Sequence, residues 1–121
     1  QTCALPICIW LGRIEGAPVD YALNQILYDD FASLRAAREA EDERIVRVVG
    51  GFDASGLEGK ISYSNSRGET FATPLVQVFA HFFNHETHHR GQVHDMLSQT
   101  DVPPPSMDLI FYLRLVDSGQ A

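Results

Sequence analysis

Residues 81–92 read His-Phe-Phe-Asn-His-Glu-Thr-His-His-Arg-Gly-Gln, and four of the chain's five histidines lie among them. The fifth, His94, stands two residues further on. In a helix each residue advances about 100°, so positions four apart stand nearly one above another. His81, His85 and His89 then form one column, with Gln92 in the same sector, His88 to one side and His94 on the opposite face. Imidazole is the commonest neutral metal ligand, and a helical i, i+4 pair brings two ring nitrogens to one point. The pattern His-x-x-x-His occurs twice here, overlapping. The same spacing also arises by chance, and a surface histidine cluster can be solvated and idle.

The helix that would carry this column starts well at Thr73-Pro74, a capping residue and then a proline favoured at the first helical position, and runs to about Ser98. Leu75, Val78, Phe82, Val93 and Met96 share a face with the column at its margin, so the histidines should look toward a core or cleft. Glu86 falls in the middle of that apolar face. A buried carboxylate is costly unless paired, so the expectation is an arginine from another helix. Gly91 inside the helix costs up to about 1 kcal/mol relative to Ala. Close approach of a backbone or ligand would explain it, and so would a tolerated defect.

The rest of the chain supplies a small helical body. Residues 9–14 read as the tail of a helix, weakened at Gly12 and Gly16, with Gly16-Ala17-Pro18 as connector. A long helix is expected over residues 20–49, with Leu23, Ile26, Leu27, Phe31, Leu34 and Ala37 facing inward. Its middle, residues 35–47, is dense in both charge signs and reads as a solvated face with i, i+4 pairs. Gly50-Gly51 stops it. Residues 60–63 and 69–73 alternate like short strands around a turn at residues 64–68, giving a hairpin. Val102-Pro-Pro-Pro is a stiff linker, and residues 106–117 read as a last short helix.

With 121 residues the chain suits one small core, and its net charge of −7 disfavours nonspecific contact with nucleic acid or an anionic membrane. No apolar run approaches the roughly 20 residues of a membrane span. Cys3 and Cys8 have neither zinc-type nor disulfide-framework spacing, and a reducing cytoplasm is the simplest compartment. No nucleophilic Ser or Cys triad and no phosphate-binding glycine loop is evident. Residues 1–8 look foreign to the rest of the chain: they resemble the translation of a sequencing-library adapter end and are read as a non-native leader.

Asn84-His-Glu-Thr-His-His-Arg-Gly-Gln92 resembles the signature of the DinB family of helical metal-binding proteins. Ile9-Trp-Leu-Gly-Arg13 with Gly16 is similar to the end of that family's second helix. Tyr63, Gly68, Phe71 and Pro74 resemble its hairpin, and Pro103-Pro-Pro with Asp108-Leu-Ile-Phe-Tyr-Leu-Arg114 its C-terminal piece. The resemblance implies a mainly α, DinB-like four-helix bundle, here lacking the first helix and most of the second, as a single partial domain over residues 9–121. It also implies a divalent metal, zinc or nickel, held by three histidines. Two are His85 and His89 by match, with His81 a neighbour or alternate ligand, and Glu86, Arg90 and Gln92 are candidates for orienting them. The third would precede Trp10, where Thr2 stands at roughly the expected place and no histidine occurs. Metal binding is therefore expected to be weak or absent in this chain, and to fall steeply below about pH 6 as the imidazoles protonate.

Some members of the family are thiol transferases and others are described as metal-dependent hydrolases, so a small-molecule substrate, such as a low-molecular-weight thiol, is implied. The competing expectation is a non-catalytic metal-binding or dimerising helical domain, homodimeric, or an inactive fragment. Missing helices would leave Phe79, Phe82 and Phe83 on the surface.

Overall fold

The computed structural model describes residues 4–22 and 24–120. Among them are four α-helices and one two-stranded antiparallel sheet, so the protein is mainly helical. The chain divides into two compact units, Gln1–His89 and Arg90–Ala121.

In the first unit, α1 (Ala4–Ile14) is apolar almost all round. Ala4, Leu5, Ile7 and Cys8, read from the sequence as part of a leader, form its first turns and are buried. Gln1, Thr2 and Cys3 lie outside the described residues. The helix ends at Gly16, whose φ of 71° permits a left-handed stop. The Gly16 N–H bonds to the Arg13 carbonyl at 3.4 Å and the Ala17 N–H reaches back to the Gly12 carbonyl at 2.8 Å, the paired bonds of a Schellman cap. The returning chain explains Gly12 as well. A Cβ there would stand 2.7 Å from the Ala17 oxygen.

The second helix, α2 (Phe31–Gly50), begins later than the periodicity suggests. Asp30 is extended, at ψ 159°, and its Oδ1 accepts the Ser33 N–H at 2.9 Å. That cap starts a helix and cannot sit inside one, and the described residues of 20–30 are not helical. The expected inward stripe moves accordingly: Ile26 and Phe31 are 71% and 78% exposed, while Leu34 and Ala37 are half-buried and Leu23 lies outside the described residues. The charged middle is only partly the solvated face expected. Arg35–Glu39 and Arg38–Asp42 do form i, i+4 pairs at 2.8 and 2.6 Å. But Arg38 also reaches Glu86, and Arg44 reaches Glu15 of the α1 cap at 2.9 Å, so this face docks onto neighbours. Gly51 closes α2 through bonds to the Arg47 and Val48 carbonyls.

After a short 3-10 turn at Gly56–Glu58, β1 (Lys60–Ser64) pairs with β2 (Thr70–Pro74), with Tyr63 opposite Phe71. The Asn65 Oδ1 accepts the N–H groups of Arg67 and Glu69 at 2.9 and 3.0 Å, and Gly68 takes φ 80°. Pro74 ends the strand and the third helix, α3 (Leu75–Ser98), starts one residue later, its Leu75 N–H bonded to the Gly59 carbonyl at 2.9 Å.

Ile7, Leu11, Val48 and Phe82 form one buried cluster, and Leu75, Val78 and Phe79 a second. Trp10, Ile14 and Phe52 pack against both. Phe79 and Phe82 are therefore core, at 8% and 1% exposure, not the surface expected from missing helices. Phe83 alone of the three is exposed. Among the described residues no helix is long and apolar enough to cross a membrane.

The second unit contains the last residues of α3 and α4 (Leu109–Asp117), three residues shorter at its start than expected, because Asp108 is extended. Val93 and Met96 are exposed, unlike Leu75, Val78 and Phe82, with which periodicity groups them on one face. Among the described residues nothing lies within 4 Å of a Cβ built at Gly91, so no protein neighbour requires glycine there.

Candidate functional site

His85 and His89 stand on successive turns of α3, and their Nε2 atoms approach to 3.0 Å. The rings meet edge to face, with centroids 4.5 Å apart. Both are half-buried. His81 continues the column, stacked 5.6 Å from His85, but it is exposed and its ring lies edge-on to Trp10 at 5.1 Å. His88 is exposed and lies 5.3 Å from His89 by ring centroids. The i, i+4 column read from the sequence is thus present, and its lower two members converge on one point.

Burial pushes the His85 pKa down, and the neighbouring His89, His81 and His88 push the same way, while Glu86 opposes them. A neutral His85 keeps a lone pair for a ligand or for the proton of its partner ring. In the absence of a cation, one Nε2 donates and the other accepts.

Glu86 lies on the core side of the same turn and is 3% exposed. Arg38 Nη1 donates to its Oε2 at 3.0 Å, the inter-helix arginine expected for a carboxylate on an apolar face. The Glu86 Oε1 has no hydrogen-bond partner among the described residues. Arg90 and Gln92 are exposed and belong to the second unit.

The histidine pair opens on a cleft of about 310 Å³ lined by Leu5, Pro6, Ile9, Trp10, Arg13, His85 and His89. Leu5, Ile9 and Arg13 are spaced by four along α1, as are Pro6 and Trp10, so one face of α1 forms the far wall. That spacing is visible in the sequence but carries no chemical label, and of these residues only Ile9, Trp10 and Arg13 belong to a recognisable helix-end motif. Arg13 is held over the Trp10 and Tyr63 rings at 4.7 and 4.8 Å, and its Nη2 donates to the Ser64 carbonyl at 3.0 Å. Cys8 is a buried free thiol whose pKa is raised by burial and by the nearby Glu41, so it remains protonated and no thiolate nucleophile arises there.

Two imidazole nitrogens 3.0 Å apart fit a divalent cation with little adjustment, because two metal–nitrogen bonds of about 2.0–2.1 Å at a tetrahedral angle separate the nitrogens by only slightly more. Among the described residues no group of three or more His, Cys, Asp or Glu is placed to hold a metal ion. Thr2, at the position the resemblance gives to a third ligand, lies outside the described residues.

No curated protein matches the chain, and no solved structure matches it. The sequence model of the DinB family matches residues 5–119. That span starts on the buried first turn of α1, takes in the hairpin and the histidine column, and runs past α4; the chain belongs to the DinB family.

Proposed function

We propose that the His85–His89 pair binds a divalent metal, zinc or nickel, and that the cleft beside it takes a small molecule, as in a metal-dependent thiol transferase or hydrolase. The observation that carries this is the 3.0 Å approach of the two Nε2 atoms at the mouth of an apolar-walled cleft. A bound metal there would favour a thiolate, or lower the pKa of a coordinated water. The chain's own residues do the rest. His85 and His89 supply two imidazole nitrogens, and burial, which lowers the pKa of His85, favours its unprotonated form. Leu5, Pro6, Ile9 and Trp10 exclude water from one side of a ligand. Arg38 neutralises Glu86 behind the pair, so that the buried charge does not unfold the turn that carries His85.

The test is a cobalt(II) titration of the chain and then addition of 2-mercaptoethanol. A tetrahedral cobalt spectrum that gains a thiolate charge-transfer band supports the thiol reading. A cobalt spectrum with no such band, together with turnover of an ester or amide, moves the reading to hydrolysis.

A second reading, a non-catalytic metal-binding or dimerising helical domain, is favoured by α4. Its Leu109, Ile110, Leu113 and Val116 are all exposed. Sedimentation at rising concentration separates it from a monomeric enzyme.

A further inference from the structure

Three arginines are half-buried among the described residues: Arg13, Arg38 and Arg44. Arg38 is paired with Glu86 and Asp42, and Arg44 with Glu15 and Glu41. Arg13 has no carboxylate within ion-pair distance among the described residues, in a chain with 16 acidic residues against nine Lys and Arg. Trp10 and Tyr63, whose ring centroids are 5.1 Å apart, pack against its guanidinium from one side, and the Ser64 carbonyl takes one of its N–H groups. Rings and carbonyl hold the guanidinium in place, and they leave edge donors unused. Such a fixed, planar fork matches a carboxylate in geometry and in charge.

Arg13 lines the cleft that also contains His85 and His89, and among the described residues no Asp or Glu lines that cleft. A second cavity that Arg13 borders, of about 270 Å³, includes Asp20 and is the poorer place for an anion. We infer that Arg13 is a specificity-determining residue: the ligand of the cleft has an apolar body and an anionic group, carboxylate or similar, that docks on the Arg13 edge while the opposite end faces the histidine pair. The inference rests on the cleft being the ligand site, and its test is run without metal, so that the two readings fail separately.

Trp10 is the chain's only tryptophan and lies in this cleft beneath Arg13, so its fluorescence reports occupancy directly. In the presence of a chelator, the whole chain is titrated with 3-phenylpropionate and with 3-phenylpropionamide, which has the same shape without the charge. The acid should bind tighter by about tenfold, the weight of one charge-assisted hydrogen bond. Arg13→Gln should bring the two affinities together, and Arg13→Lys should restore part of the difference. Equal affinities in the wild type, no response to either probe, or a preference that survives Arg13→Gln would each overturn the inference. The wild-type comparison decides even if a variant at Arg13 does not fold. Repeating the titration with zinc present separates the readings. An acid preference in a chain that binds no zinc leaves Arg13 its role and removes the metal.

Discussion

Arg38 of α2 and Glu86 of α3, 48 residues apart in sequence, meet at 3.0 Å behind the turn that carries His85. The pair is unequal: the Glu86 side chain is 4% exposed and that of Arg38 is 32%. Removing the arginine strands a buried carboxylate, whereas removing both groups does not. Arg38→Ala should therefore destabilise the protein by about 2–3 kcal/mol, below the roughly 3–5 kcal/mol of a fully buried pair because Arg38 keeps some water. The double variant Arg38→Ala with Glu86→Leu should recover much of the loss. Urea denaturation of the single and double variants measures both.

The placement of the core gives a second contrast. Phe82 is 1% exposed and Phe31 is 78% exposed, although hydrophobic periodicity alone puts Phe31 on an inward stripe. Phe82→Ala should cost about 3–5 kcal/mol. Phe31→Ala should stay within about 0.5 kcal/mol. Equal losses in thermal or chemical unfolding would contradict the helix start at Phe31.

The histidine column makes stability depend on pH with a definite sign. The pKa of His85 is lowered in the fold, first by burial and then by its histidine neighbours. The unfolded chain therefore takes up the proton more readily, at an ordinary histidine value of about 6.5. The stability that a neutral His85 contributes is complete above that value. It is lost as pH falls from there toward the lower folded pKa. In metal-free protein, the melting temperature of wild type should drop across that window more steeply than that of His85→Gln, and NMR titration of the His85 ring should place its midpoint below about 6.5. A ring that titrates above the ordinary value would contradict the burial of His85.

The extent to which these features are legible in the sequence differs by element. The hairpin and the extent of α3 come from local rules: strand alternation, a turn around Asn65 and Gly68, and an uninterrupted helical run. The need of Glu86 for a partner is local too, since a carboxylate on an apolar stripe requires a cation, but the identity of that partner, Arg38, is tertiary. The start of α2 is not, because the Asp30 cap competes with a periodicity that continues through residues 20–30, and the cap prevails. The burial of Phe79 and Phe82 depends on α1 residues such as Ile7 and Leu11, and on Phe52 and Val48, packing against α3. Nothing local records that packing. Arg13 illustrates the same limit at the site: its residue type is visible in the sequence, but its fixation by Trp10, Tyr63 and the Ser64 carbonyl is tertiary.

The central claim is that His85 and His89, and not the column as a whole, hold a metal. The most direct measurement is the zinc affinity of the wild-type chain, determined by competition with a chromophoric chelator, against His85→Ala, His89→Ala and His81→Ala. Zinc should bind the wild type, and loss of either His85 or His89 should weaken it by more than about tenfold, while His81→Ala leaves it within about threefold. Zinc affinity unchanged by His85→Ala, or lost with His81→Ala alone, would contradict the assignment.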